Sequence, residues 1–228
     1  MVKRTRAEAL ETRDRILDTA EHVFSERGVS RTTLAEIADA AGVTRGAIYW
    51  HFRNKSAVFT AMCDRVTLPM EEMIQQAASE TVNDPVATIK ALCGSFLRRA
   101  SEDEQCRRVF EILFHKCEYV DEMAETLTRQ LDCRAKGVSI MERAFLNAVK
   151  KGQLPAKMNA RRAANGLACY LDGLIYNWLL NPKSFNLPKE GGWLVEQYLR
   201  GVRAAPEPEK KTVRRSRSRA PAASSRHA

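Results

Sequence analysis

The sequence holds little of what catalysis, metal binding or membrane insertion requires. Four histidines and six cysteines (63, 93, 106, 117, 133 and 169) are scattered over 228 residues. There is no CxxC and no histidine pair at ligand spacing, so neither a metal site nor a cofactor is expected. A phosphate-cradling glycine loop and a nucleophile elbow are also missing. His115 and Cys117 stand two apart, which on a helix points them to different faces, so they make no thiol–base pair; Cys117 reads as a small buried hydrophobe. No apolar run approaches the roughly 20 residues that cross a bilayer. The richest stretch, Leu167 to Leu180, is broken by Asp172 and Asn177. The start, Met1 to Arg6, runs straight into charged sequence without a secretory apolar region. Unclustered cysteines without an export signal read as reduced thiols, so a cytoplasmic location and no membrane partner are expected.

Apolar–polar alternation of period two is absent as well, which argues against a sheet. What is present is apolar residues three and four apart nearly everywhere, in a chain that is 44% hydrophobic and 29% charged. The class is all-α. Ile16, Leu17, Ala20, Val23 and Phe24 form one stripe, ended by Gly28. Thr33-Leu34-Ala35-Glu36 is a capping box that opens a short helix, Gly42 closes it, and Thr44 caps another that runs to about His51. A further periodic segment starts at Lys55. Beyond Asp84-Pro85 the pattern predicts helices near 86–101, 104–116, 121–151, 160–180 and 190–202, about nine in all. The net charge is +9, and the run from Ala204 holds 7 basic and 2 acidic residues, so more than half of the excess sits there. That composition cannot bury enough apolar area to fold and reads as disordered. The expected division is a small three-helix domain over 1–56, a larger helical domain over 57–203, and a basic tail over 204–228.

Residues 33–52 carry the functional signal. Leu34, Ile37 and Ala38 face inward on one short helix, Ile48 and Phe52 on the next, and Gly42-Val43 join them. Two short helices about a glycine turn make a helix-turn-helix, whose second helix enters a major groove of duplex DNA. Thr44 and Arg45 lie at its leading end, and Gly46 allows close backbone approach. Tyr49 shares a face with Arg45, whose fork matches guanine O6 and N7 and is worth ~1–3 kcal/mol of discrimination. His51, Lys55 and the amides around Thr33 are placed for phosphate. The competing reading is an ordinary helical hairpin with a basic surface. Charge does not decide between them, because residues 1–56 hold 10 basic and 8 acidic groups.

The run Thr32-Thr33-Leu34-Ala35-Glu36-Ile37-Ala38 and the run from Gly42 to Lys55 resemble the TetR family of bacterial repressors. The resemblance spans about 45 residues in register and implies DNA contacts at Thr33, Thr44, Arg45, Tyr49, His51 and Lys55. It extends through Arg107-Arg108, Glu111-Ile112-Leu113, His115 to Glu118, Gly152 to Pro155, Asp172 to Ile175 and Trp178 to Leu180. Those runs are similar to the AcrR/TtgR-type subgroup. That implies a repressor of a drug-efflux operon, released from DNA by diverse small molecules.

The second half also reads as a helical box with an adaptable lining. Phe110, Leu113, Phe114 and Cys117 share one face; Leu92, Cys93 and Phe96 another; Met141 and Phe145 a third; Leu171, Ile175 and Trp178 a fourth. Linings of this kind repack around varied guests, although each residue alone reads equally as core. Asp172 on an apolar helix needs a partner, either a ligand group or a neighbouring arginine or helix end. The resemblance favours the ligand, with Tyr176 beside it. Phe110 and Phe114 replace polar residues of the subgroup and Ala168 replaces a larger one, which makes an apolar, roomy site. One recognition helix covers too few bases, so a twofold homodimer reading half-sites about 34–36 Å apart is expected. Leu167, Leu174, Trp193, Val195 and Leu199 are either its interface or the monomer's own core. Two alternatives remain at this level: regulation of a lipid or catabolic operon, and nonspecific nucleic-acid binding through Arg214, Arg215, Arg217 and Arg219.

Overall fold

The computed structural model describes residues 6–204, and among them the architecture is entirely helical. The helices are α1 (Arg6–Arg27), α2 (Leu34–Ala40), α3 (Arg45–His51), α4 (Lys55–Ala77), α5 (Pro85–Glu102), α6 (Glu104–His115), α7 (Ala124–Lys150), α8 (Ala160–Leu180) and α9 (Leu187–Ala204). A 3-10 turn, Asp121–Met123, precedes α7, where the sequence pattern predicted α-helix from 121. Ala204 ends α9; the rest of the expected tail, 205–228, lies outside the described residues.

Local chemistry sets most boundaries. Thr33 and Glu36 form the full capping box at α2, and the side chains of Thr44, Asn54, Asp84, Asp103 and Asn159 cap α3, α4, α5, α6 and α8. Each accepts a bond from an amide that the helix itself leaves without a partner. Gly28 and Gly42 have φ of +82° and +64°, which glycine adopts without strain as the chain leaves α1 and α2.

Ile16, Leu17, Ala20 and Phe24 of α1 pack with Ile37, Ala38, Ile48 and Phe52 into one buried cluster. Val58, Phe59 and Met62 of α4 join it. The ring of Phe59 lies 6.2 Å from that of Phe24. The same core continues through the remaining helices, where α7 packs on α4, α5 and α8, and α9 packs on α5 and α8. α4 therefore touches both groups of helices, and it runs through Pro69 as one helix.

Three of the residues weighed as dimer contacts close the monomer's own core instead. Leu167, Val195 and Leu199 are almost wholly buried within one chain, because their stripes face α5 and the inner sides of α8 and α9. Leu174 is half-buried against the core, whereas Trp193 is 60% exposed. Tyr176 and Leu180 on α8 are exposed large residues that the interface reading did not include.

Candidate functional sites

The first site is the outer face of α2–α3. Ile48 and Phe52 are buried, which turns Arg45, Gly46 and Tyr49 outward. The Thr44 hydroxyl accepts from the amide of Ala47 at 3.1 Å, and the exposed Thr33 hydroxyl is held by Glu36 at 2.9 Å. His51 is half-buried, its ring edge-on to Trp50 at 4.6 Å. A groove of about 550 Å³ runs beside α3, bounded by Ala9 and Arg15 of α1 together with Thr44, Gly46, Trp50 and His51. Arg15 and Trp50 did not figure among the sequence-derived contacts. An exposed tryptophan at the end of an otherwise amphipathic short helix was the signal available for one; nothing in the pattern singled out Arg15.

Lys55 requires a correction. Its side chain is 7% exposed, and its ammonium donates to the carbonyls of Thr32 at 2.9 Å and Ser30 at 3.4 Å. Glu122 closes the set at 2.8 Å. A charge buried this way is held by its partners, so the ammonium does not face a phosphate backbone from the outer surface.

The second site is a partly open cavity of about 630 Å³ lined by residues of α4 to α8. That volume falls within the ~300–1,000 Å³ of small-molecule sites. Nine of the eleven expected residues line it: Leu92, Cys93, Phe96, Phe110, Phe114, Met141, Ala168, Leu171 and Asp172. Ile175 does not, because it is fully buried in the core. Tyr176 does not either; it is 42% exposed, its ring tilted against that of His115 and edge-on to that of Phe114, at separations of 4.5 and 6.1 Å. One helical turn beyond Leu171 and Asp172, the stripe has rotated away from the opening.

The aromatic wall is continuous. Phe110 stacks on Phe114 at 5.9 Å and meets Phe96 edge-on at 5.6 Å. Facing it are Met70 and Ile74 of α4 and Val138 of α7. Burial pushes the Cys93 thiol up to about 12 and that of Cys117 to about 11, so both are neutral near pH 7. Asp172 has a protein partner, Arg134 of α7, which also contacts Cys169 Sγ at 3.2 Å. Arg134, Gln130 and Tyr119 were missed as lining residues. Arg134, Val138 and Met141 share one helical stripe, so the spacing that pointed to Met141 was the available signal for Arg134.

The two sites are physically joined. Glu21 of α1, 2% exposed, accepts from Arg108 at 2.7 Å and Gln105 at 3.1 Å, both on α6. Lys116 donates to the Ser25 carbonyl at 2.5 Å, and α4 supplies Thr67, Met70, Glu71 and Ile74 to the cavity.

A short helix pair with an exposed second helix, coupled to a largely apolar cavity, is the layout of a ligand-controlled DNA-binding protein. Residues 16–62 match the bacterial regulatory proteins of the tetR family, and residues 84–203 match the C-terminal region of MAATS-type transcriptional repressors. The chain belongs to the TetR family. It is 44% identical over 191 residues to the HTH-type transcriptional regulator TtgR of Pseudomonas putida, covering 82% of this chain and 89% of that protein. Among solved structures, NalD, the secondary repressor of the MexAB-OprM multidrug efflux pump in Pseudomonas aeruginosa, superposes with a TM-score of 0.79 at 34% identity. That match covers 87% of this chain and 99% of NalD. The SmeT–triclosan complex has a TM-score of 0.78 at 32% identity, covering 87% and 98%; SmeT is the repressor of the Stenotrophomonas maltophilia pump SmeDEF. Among the described residues no helix of this TetR-family chain is long and apolar enough to cross a membrane.

Proposed function

We propose that this protein is a cytoplasmic, non-enzymatic repressor that binds a palindromic operator as a homodimer and leaves it when an aromatic or hydrophobic small molecule fills the cavity. The observation that carries the reading is α4: its first turns pack on α1, which in turn packs on α2 and α3, and its later turns form a cavity wall. A guest that displaces the wall moves α4 against α1 and so bears on the helix pair through α1. Thr33, Thr44, Arg45, Gly46, Tyr49 and His51 are the proposed DNA contacts, with the DNA-binding part over 1–56 and the ligand-binding and dimerisation part over 57–203. The regulated operon is proposed to encode a multidrug efflux pump. Support comes from relatives named as repressors of such pumps and from a related repressor solved with triclosan.

The mechanism is a two-state equilibrium. The empty state sets two recognition helices in successive major grooves; the filled state moves α4 and puts them out of register. A hundredfold loss of operator affinity requires about 2.7 kcal/mol of coupling. The test is a footprint of the protein on the intergenic region beside its own gene, repeated with triclosan and a panel of antibiotics, dyes and plant phenolics. Protection of a palindrome, lifted by at least one compound, is expected. Protection that no compound lifts overturns the ligand half of the proposal, and uniform coverage without a palindrome overturns the repressor half.

A further inference from the structure

Every charged group on the cavity wall is already answered by an ion of this chain. Glu71 pairs with Lys136 at 2.5 Å, Arg99 with Asp103 at 3.4 Å, and Arg134 with Asp172. In the first two pairs only one member lines the cavity; Arg134 and Asp172 both do, from adjoining helices. The rest of the polar lining is uncharged: Thr67, Ser95, Tyr119, Gln130 and thiols that burial keeps protonated.

We propose that the Arg134–Asp172 pair is a charge filter, selecting aromatic ligands without net charge from among those the cavity has room for. The inference rests on the effector-site reading above. An ammonium drawn to Asp172 meets the guanidinium beside it, and a carboxylate drawn to Arg134 meets the carboxylate of Asp172. Either ion must separate the pair or sit against a like charge. The ligand's own rings deepen that penalty by excluding water from the pair. A neutral hydroxyl escapes it, since it can accept from the guanidinium, which has five donors, or donate to the carboxylate without parting them. The two side chains remain 41% and 38% exposed, so the pair itself adds little to stability and its loss leaves the fold intact. Selectivity is what it controls.

The experiment is calorimetric titration of the full chain with three ligands on one scaffold: 4-phenylphenol, biphenyl-4-carboxylate and 4-biphenylyl-trimethylammonium. The wild type is expected to bind the phenol about tenfold tighter than either ion. Relative to wild type, Arg134→Gln gains about fivefold for the ammonium and Asp172→Asn about fivefold for the carboxylate, the range of a partly screened ion pair. Arg134→Lys and Asp172→Glu restore the wild-type order. Binding without these opposite-signed gains overturns the filter alone. Failure of all three ligands to bind any of the proteins overturns the effector-site reading and the filter with it.

Discussion

The ammonium of Lys55 and the carboxylate of Glu122 lie 2.8 Å apart where the two halves of the molecule meet. Lys55 opens α4, its other partners are carbonyls of the α1–α2 loop, and Glu122 belongs to the 3-10 turn that leads into α7. The buried hydroxyls of Ser56 and Thr126, 2.7 Å apart, and the exposed pair Arg53–Glu125 repeat the link on either side. Lys55→Met leaves the carbonyls of Ser30 and Thr32 without this donor, a loss of about 1–3 kcal/mol measured by urea unfolding. A phosphate-contacting lysine behaves differently: its removal lowers the salt slope of operator binding by about one. The structure predicts an unchanged slope and a lower stability.

Arg45 and Tyr49 are exposed and contribute nothing to the core. Replacing either by alanine is expected to weaken operator binding by about 1–3 kcal/mol, read by fluorescence anisotropy, with the melting temperature unmoved. Retained operator affinity in both variants removes α3 as the reading element.

Ala168 lines the cavity as a small residue. Ala168→Phe fills part of the volume from the α8 wall. Compounds that release the wild type should then act only at higher concentration, while operator affinity without ligand stays the same. An equal response in both proteins places the ligand elsewhere.

A side chain at Gly191 has no room. An added Cβ would sit 2.7 Å from Cδ1 of the fully buried Leu97, where α9 crosses α5. Overpacking of this kind costs about 1–3 kcal/mol, so Gly191→Ala should lower the denaturation midpoint. Gly192→Ala, whose Cβ would meet nothing within 4 Å, is the control.

Burial raises the thiols of Cys93 and Cys106 to about 12 and of Cys117 to about 11, from 9.0. Above pH 9 the unfolded chain releases these protons and the folded one holds them, so stability falls as pH rises from about 9 toward 11–12. Urea midpoints at pH 8 and pH 10.5 measure the fall, and the double variant Cys93→Ala, Cys117→Ala should show a smaller one. Below pH 9 these thiols make no pH dependence.

Much of this was legible in the chain. The capping box at Thr33, the glycine turn at Gly42 and the spacing of Ile48 and Phe52 depend on residues within one or two turns of each other, and they appear as read. So does the aromatic stripe Phe110–Phe114. Reading failed where reach or rotation mattered. Lys55 has a long stem, and its direction was settled by carbonyls more than twenty positions earlier and a carboxylate sixty-seven positions later. Ile175 and Tyr176 lie one turn past true lining residues, where the angle of α8 against α6 decides what faces inward.

The sequence alone determined that the described residues are helical, where the side-chain-capped helices begin, and that the third helix presents Arg45 and Tyr49 outward, because caps and the 3.6-residue period are local. The starts of α7 and α9 it misplaced by three residues. Only the tertiary structure decided which apolar stripes close the core and which line an empty space, and which ions meet across helices. The period tells which residues share a face, and packing alone tells what that face meets.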